Sequence, residues 1–224
     1  LLLDLNRIAG LDAITLDGDT LRIGALARHA AVLAHPLVAA EAPLLALALR
    51  HVAHPAIRNR GTLGGSLALA DPAAELPACM LALDATILLA SAAGERRVAA
   101  RDFFTGLYAT ARRAEELVTG VEIPRAPGWT PWFAEVARRH GDYAMAGLAL
   151  MRARDAVRLA FFGVEAAPRR LPAVEAAWRK GAAALPDGLL DPLDSPEAPA
   201  AYRLHLARGL LARAAAEESA HAAG

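Results

Sequence analysis

A glycine-rich segment constrains most strongly how this chain can fold and what it can bind. Residues 57–66 read Ile-Arg-Asn-Arg-Gly-Thr-Leu-Gly-Gly-Ser, so three glycines fall within five positions. Glycine lets a backbone approach a ligand closely, and successive N–H groups of such a loop can bind an anion. The pattern is equally compatible with a tight turn at the start of a strand that binds nothing. It matches neither the Lys-Ser/Thr ending of a P-loop nor the G-x-G-x-x-G dinucleotide fingerprint.

Composition narrows the class of protein. The 224 residues are 55% hydrophobic and 21% charged, which is typical of a folded domain. The formal net charge of zero gives no general reason to expect nucleic acid or an anionic membrane as a partner. No apolar run reaches the length of a membrane span and no signal peptide is visible, so we expect a soluble, cytoplasmic protein. The chain lacks an initiator methionine, which suggests a piece of something longer.

The side chains that could bind a metal or act as a nucleophile are few. The single cysteine, Cys79, lies in the apolar run 76–83, so we expect a buried and unreactive thiol rather than a nucleophile. One cysteine excludes an intrachain disulfide and a multi-thiolate metal centre. His51 and His54 have no third ligand at a suitable spacing, so no metal site is predicted. No triad or paired-carboxylate pattern is present, and we predict no catalytic side chain.

Hydrophobic periodicity and turn residues predict an α+β chain with a boundary at Arg125–Pro131, where three structure-breaking residues cluster. The predicted domains are residues 1–124 and 128–224. Strands are predicted at Leu1–Leu5, Ile14–Leu16, Leu21–Ala25, Thr86–Ala90, Arg97–Ala99, Leu117–Ile123, Trp132–Arg139, Ala144–Arg152 and Val157–Val164. Helices are predicted at Arg28–Ala34, from Pro43 to near His54, and at Ala73–Leu83, Leu171–Lys180 and Ala201–Ala220. Ser66–Leu69 is predicted to be extended.

Three motifs resemble those of a known family. Residues 57–75 resemble the string I-R-N-R-G-T-I-G-G-N followed by L-A-x-A-D-P-A-A-D-x-P, which is found in the flavoprotein subunit of molybdenum hydroxylases, the carbon monoxide dehydrogenase and xanthine dehydrogenase family. Residues 21–29 resemble the family's L-x-I-G-A-x-T-R-H, and residues 136–144 resemble x-A-R-R-x-G-D-F/Y-A. The segment 202–207 is similar to the family's last helix. The resemblance covers essentially the whole chain, and its motifs are specific.

The resemblance implies a fold. It implies the second lobe of a two-lobed FAD-binding domain of the vanillyl-alcohol-oxidase-like type. A C-terminal lobe with a three-stranded antiparallel sheet and helices would follow it. Family members carry an earlier glycine motif, roughly A-G-G-x-S-L, in an N-terminal lobe. That motif does not occur in this sequence, so we expect this chain to lack that lobe.

The resemblance also implies FAD-binding residues. It places the diphosphate and ribityl chain of FAD against Thr62, Leu63, Gly64, Gly65 and Ser66, where Ser66 replaces a more usual asparagine. Glu75 stands at the family's ribityl-binding aspartate; alternatively, its charge only supports the first turn of the following helix.

Two further positions border the flavin ring in the family. The resemblance implies that Tyr143 covers the ring and that the Val118 backbone borders it. Alternatively, Tyr143 is a tyrosine of the core and Val118 is an ordinary strand residue. Arg58 and Arg60 either balance diphosphate charge or pair with acids and solvent, and Arg138 and Arg139 are open to a role at a partner subunit.

The implied function is electron transfer. The resemblance implies that electrons pass from a molybdenum cofactor on a large subunit, through iron–sulfur clusters on a small subunit, to FAD on this chain. FAD then reduces NAD or a quinone. The implied protein is thus an oxidoreductase subunit that is not active alone. Two alternatives stay open: a truncated, non-catalytic assembly module that docks its partner subunits without retaining FAD, and an unrelated phosphate-binding domain that prefers simple nucleotides.

Overall fold

The computed structural model describes residues 3–178 and 180–222, with side chains as far as Glu218. The strands are β1 Ile14–Asp17, β2 Thr20–Gly24, β3 Thr86–Ser91, β4 Gly94–Ala99, β5 Phe104–Gly106, β6 Ala109–Thr110, β7 Leu117–Pro124, β8 Thr130–Ala137, β9 Ala144–Ala153, β10 Ala156–Phe162 and β11 Arg169–Arg170. The helices are α1 His29–Ala34, α2 Pro36–Glu41, α3 Pro43–Leu49, α4 Pro55–Arg58, α5 Leu63–Leu69, α6 Glu75–Ala82, α7 Ala100–Phe103, α8 Pro172–Trp178 and α9 Ala200–Ala222. Among the described residues, no helix combines the length and apolar character that crossing a bilayer requires.

Two antiparallel sheets organise these elements and confirm the α+β class. The first has five strands in the order β1-β2-β7-β3-β4, and its β1–β2 hairpin turns at Asp17-Gly18-Asp19. The second has the order β11-β10-β9-β8, with β9 and β10 joined by a tight hairpin. The small β5–β6 hairpin stands apart from both sheets. No helix or strand lies between Pro124 and Thr130.

The second sheet is buried on both faces. Along β9, Leu148 and Leu150 face a core formed with α8 and α9, because alternate side chains of a strand point to opposite faces. Ala149 and Met151 face the other core, which contains buried residues of α1, α2, α3, α5 and α6 and of the first sheet. Helix α6 packs against β9 and β10 on one side and against α3 and α5 on the other. Cys79, on α6, is fully buried as expected, and burial raises the pKa of its thiol.

Several elements differ from the sequence predictions. The strand predicted at Leu1–Leu5 is absent from its described residues 3–5, where Leu3 is 77% exposed; residues 1 and 2 lie outside the described part. Ser66–Leu69 is helical rather than extended, because it continues α5. The second sheet has four strands rather than three, since β11 pairs with β10 at Ala160 and Phe161.

The fourth strand is held by a buried carboxylate, not by an alternating pattern. Glu175 accepts hydrogen bonds from the Arg170 guanidinium at 2.8 and 2.9 Å and from the Leu159 N–H at 3.0 Å. A strand of two residues is too short to show a hydrophobic periodicity, so the sequence pattern could not reveal it.

The predicted helix from Pro43 also ends at Leu49, well before His54.

Candidate functional site

A cleft of about 1190 Å³ lies between the glycine segment and the loop that follows β8. This volume exceeds the ~300–1,000 Å³ of most small-molecule sites, so it suits a ligand of dinucleotide size. The segments that line it include the glycine segment, the turn between α5 and α6, the tip of the β5–β6 hairpin, the loop 138–143 and the loop 193–197. Sequence motifs that lie far apart along the chain therefore share one cavity.

The glycine segment is the start of a short helix rather than an open loop. Thr62 caps α5, and its Oγ1 accepts a hydrogen bond from the Gly65 N–H at 3.1 Å. The Leu63 and Gly64 N–H groups donate to the Ala27 and Ala25 carbonyls at 3.0 and 2.8 Å. The N–H groups of Leu63, Gly64 and Gly65 are thus all bonded within the protein. The segment can offer a ligand the hydroxyls of Thr62 and Ser66 at the cleft surface.

The two adjacent glycines serve different purposes. Gly64 is buried, and a Cβ there would overlap the Ala25 Cβ and come within 2.9 Å of its Cα and carbonyl oxygen. Gly65 is exposed and lines the cleft, and a Cβ there would meet only Thr62 Oγ1, at 2.9 Å. Gly64 therefore lets α5 pack on the segment after β2, while Gly65 keeps the cleft wall free of side-chain bulk.

Two carboxylates follow the glycine segment, one in the turn before α6 and one at the start of that helix. Asp71 is 7% exposed; its Oδ1 accepts from the Ala73 N–H at 2.9 Å and its Oδ2 from the Tyr108 hydroxyl at 3.2 Å. Glu75 is the first residue of α6 and also lines the cleft, so both roles considered from the sequence are compatible with its position. Burial raises the pKa of Glu75 to about 7, and repulsion from Glu135 adds to that rise.

A half-buried ion pair lies near Glu75. His51 Nδ1 is 3.3 Å from Glu135 Oε1, and this hydrogen bond raises the pKa of the imidazole. The other carboxylate oxygen, Glu135 Oε2, is buried and has no hydrogen-bond partner in the described part of the chain. His51 is thus committed to a carboxylate on β8. Within residues 3–178 and 180–222, no group of three His, Cys, Asp or Glu side chains is placed to hold a metal ion.

The two positions expected beside a flavin ring lie in different surroundings. Tyr143 is 71% exposed, in the loop between β8 and β9, and lines the cleft; it is not a core tyrosine. Val118 is buried in β7, pairs with Leu89 of β3 and is not among the lining residues. The structure therefore gathers Thr62, Gly65, Ser66, Glu75 and Tyr143 around one cavity. Leu63, Gly64 and Val118 do not line it.

The arginines of the glycine string also separate into two kinds. Arg58 donates to the Val52 and Ala53 carbonyls at 2.9 and 3.0 Å, so it ties α4 to the preceding loop. Arg60 is exposed and lines the cleft. Farther along the chain, Arg138 lines the cleft, whereas Arg139 is exposed outside its lining.

Several lining residues were not singled out from the sequence, among them Asp71, Tyr108 and His29. Asp71 precedes Pro72, a pattern typical of a turn, and nothing in the sequence pattern distinguishes Tyr108. His29 is 6% exposed, and neither ring nitrogen has a hydrogen-bond partner of good geometry among the described residues. Burial lowers the pKa of this imidazole, which keeps it neutral at pH 7. The Arg-His pair that ends one of the family-like motifs could have directed attention to it.

Comparison with known proteins identifies the group to which this chain is related. A family model described as the FAD binding domain in molybdopterin dehydrogenase matches residues 1–126, more than half of the chain. The nicotine 6-hydroxylase medium subunit of Paenarthrobacter nicotinovorans is 42% identical over 180 residues, covering 77% of this chain and 62% of that protein. The glyceraldehyde dehydrogenase medium chain of Sulfolobus acidocaldarius is 38% identical, covering 78% and 64%. This chain therefore spans about three fifths of the length of these two relatives.

Solved structures agree in fold. Carbon monoxide dehydrogenase from Hydrogenophaga pseudoflava matches with a TM-score of 0.87 at 31% identity, covering 94% of this chain and 78% of that one. Quinoline 2-oxidoreductase from Pseudomonas putida 86 matches with a TM-score of 0.83 at 35% identity, covering 96% and 80%. With more than half of its length matched by the family model, this chain belongs to the family of FAD-binding domains of molybdopterin dehydrogenases.

Proposed function

We propose that this chain is the FAD-binding subunit of a molybdenum hydroxylase. It would receive electrons from iron–sulfur clusters on a small subunit, which are reduced in turn by a molybdenum cofactor on a large subunit. It would then deliver the electrons to NAD or a quinone. The observation that carries the proposal is the convergence of the glycine segment, Glu75 and Tyr143 on one cleft of about 1190 Å³.

The residues of the cleft fit FAD chemically. Gly65 leaves room for a diphosphate, and the Thr62 and Ser66 hydroxyls can donate hydrogen bonds to it. The carboxyl group of Glu75 can bind the hydroxyls of a ribityl chain. Exposed Tyr143 offers an aromatic face for a flat ring.

The chain's contribution is to bind and orient the cofactor. Bound FAD would supply the one- and two-electron chemistry, and the protein would set its position and its surroundings. Glu75, whose pKa of about 7 allows it to be protonated at neutral pH, can donate as well as accept a hydrogen bond at that wall. We further propose that residues 1–124 form the second lobe of the FAD-binding domain and residues 128–224 the C-terminal lobe of the subunit.

Binding of FAD by the purified chain tests the proposal. The chain is mixed with excess FAD and passed through a gel-filtration column, and the flavin absorbance that elutes with the protein is measured. We expect about one flavin per chain. An eluted protein without flavin supports instead an assembly module that docks partner subunits without FAD. Binding of ADP or AMP in preference to FAD indicates an unrelated phosphate-binding domain.

A further inference from the structure

Tyr108 holds a backbone conformation that its residue type rarely adopts. It lies at the tip of the β5–β6 hairpin with φ of +51°, in the left-handed region where glycine or asparagine is the ordinary choice. A bulky residue there costs free energy, and such residues persist where the surrounding structure enforces them, often at ligand sites. The Tyr108 side chain is also 56% exposed, so burial in the free protein does not offset that cost.

The neighbours of Tyr108 fix its ring at the edge of the cleft. Its hydroxyl donates to Asp71 Oδ2 at 3.2 Å, and Asp71 is itself buried and anchored to the Ala73 N–H. The base of the hairpin is held by Phe103 and Phe104, which are buried and meet edge to face at 5.1 Å between ring centroids. The hairpin thus presents the exposed phenol ring of Tyr108 to the cavity, and Asp71 holds the ring through its hydroxyl group.

Tyr108 and Tyr143 reach the same cavity from different parts of the chain. Both line the cleft, and the two phenol groups are near enough to interact electrostatically. Leu107, also exposed and lining the cleft, extends the apolar surface beside Tyr108. An apolar and aromatic surface of this kind suits a flat, uncharged ring system rather than a phosphate group.

We propose that Tyr108 is a second aromatic contact for the flavin ring, in addition to Tyr143, and that Asp71 is its positioning residue. This inference rests on the proposed function, because it assigns a residue to the flavin end of the same cleft. It adds a strained hairpin tip to a site whose glycine segment and Glu75 serve the other parts of the cofactor. Tyr108 contacts the flavin ring in this proposal, while the glycine segment contacts the diphosphate.

The test compares three ligands that divide the cofactor: FAD, FMN, which keeps the ring, and ADP, which keeps the diphosphate. Equilibrium titrations follow flavin fluorescence for FAD and FMN, and heat for ADP. We expect Tyr108→Ala to raise the Kd for FAD and FMN about tenfold, by loss of the aromatic contact, and to leave that for ADP unchanged. Tyr108→Phe keeps the ring but loses the bond to Asp71, so we expect a rise of about threefold.

Controls separate a binding role from a structural one. Tyr108→Gly suits the positive φ and should retain the melting temperature of the parent, yet bind FAD as weakly as Tyr108→Ala. Tyr202→Ala removes a tyrosine from α9, outside the cleft, and should change neither property. Parent-like Kd values for FAD and FMN in Tyr108→Gly overturn this inference alone. A parent chain that binds none of the flavins overturns the proposed function together with it.

Discussion

The two walls of the cleft are built in opposite ways. One wall, here called the glycine wall, consists of residues 62–66 and 71–75, and its backbone is bonded into the core through the Ala25 and Ala27 carbonyls. The other, the tyrosine wall, is the loop 138–143, in which Arg138, Asp142 and Tyr143 are exposed. We therefore expect residues of the glycine wall to serve the fold as well as the ligand. The exposed side chains of the tyrosine wall contribute little to the fold, so we expect them to act on the ligand alone.

This difference determines what a substitution can reveal. On the glycine wall, a loss of ligand binding can follow from a loss of folding. Each variant there is therefore paired with a variant of a neighbouring residue, which distinguishes the two losses. On the tyrosine wall, a loss of binding with unchanged stability is direct evidence of contact with the ligand. The variants below test that contrast, from the largest expected effect to the smallest.

Gly64→Ala should cause the largest effect, a loss of about 3 kcal/mol of unfolding free energy, because the new methyl group overlaps Ala25 and its backbone. The adjacent Gly65→Ala, which meets only the Thr62 hydroxyl, should cost less than about 1 kcal/mol and act chiefly on FAD affinity. Urea denaturation measures the first quantity and FAD titration the second. Equal stability losses in the two variants would contradict the separation of buried and ligand-facing glycines.

Glu75→Gln should stabilise the protein at alkaline pH. The pKa of Glu75 rises from 4.5 to about 7 on folding, so ionised Glu75 weakens the fold. The parent therefore loses stability as pH rises from 4.5 to 7 and stays at the lower level above it. We expect the variant to exceed the parent by about 2 kcal/mol at pH 8 and by much less at pH 5, in urea denaturation.

The same variant sharpens the contrast between the walls if FAD binding falls while stability rises. A residue that weakens the fold and strengthens ligand binding serves the ligand. We expect the FAD affinity of Glu75→Gln to fall severalfold at pH 8. A gain in stability that does not depend on pH would show that burial does not raise the pKa of Glu75.

Tyr143→Ala should raise the Kd for FAD about tenfold, because the proposed stacking on the flavin would be lost, and should leave the unfolding free energy unchanged. The Tyr143 side chain is 71% exposed, so its removal opens no cavity in the core. Titration by flavin fluorescence and urea denaturation measure the two effects. A variant that loses stability but not affinity would show that the tyrosine wall is structural after all.

Arg60→Ala and Arg58→Ala form a matched pair with the smallest effects. Arg60 is exposed at the cleft, and its removal should weaken FAD binding about threefold at low salt and less at high salt. Arg58 binds two loop carbonyls, and its removal should cost about 1 kcal/mol of stability. FAD titration at two salt concentrations, beside urea denaturation, distinguishes them. A salt-independent loss of affinity in Arg60→Ala would argue against a charge contact with the diphosphate.

Alternation and turn chemistry predicted most of the sheet structure. The β1–β2 hairpin, the strands β3 and β7 and the β9–β10 pair were evident because their side chains alternate and their turns carry Gly or Asp. Helix α5 was missed because Gly-Gly-Ser has low helix propensity, and its fold depends on contacts with Ala25 and Ala27 that are distant in sequence. Tertiary packing, which local pattern does not encode, decides such segments.

The candidate site was predicted only where a motif carried it. Thr62, Gly65, Ser66, Glu75 and Tyr143 came from the family resemblance, and the structure places all five around one cleft. Tyr108 could not be found in this way, since its distinguishing feature is a backbone angle. Likewise, the bond between its hydroxyl and Asp71 joins residues 37 positions apart. Such features arise from the fold and become visible only in three dimensions.

A crystal structure of this chain with FAD tests the central claim most directly. We expect the diphosphate to lie within hydrogen-bond distance of Thr62, Gly65 or Ser66, with the flavin ring beside Tyr143 and the ribityl chain near Glu75. A diphosphate bound elsewhere on the surface, or a ring that contacts neither tyrosine of the cleft, would contradict the assignment of the glycine wall and the tyrosine wall to the two ends of the cofactor.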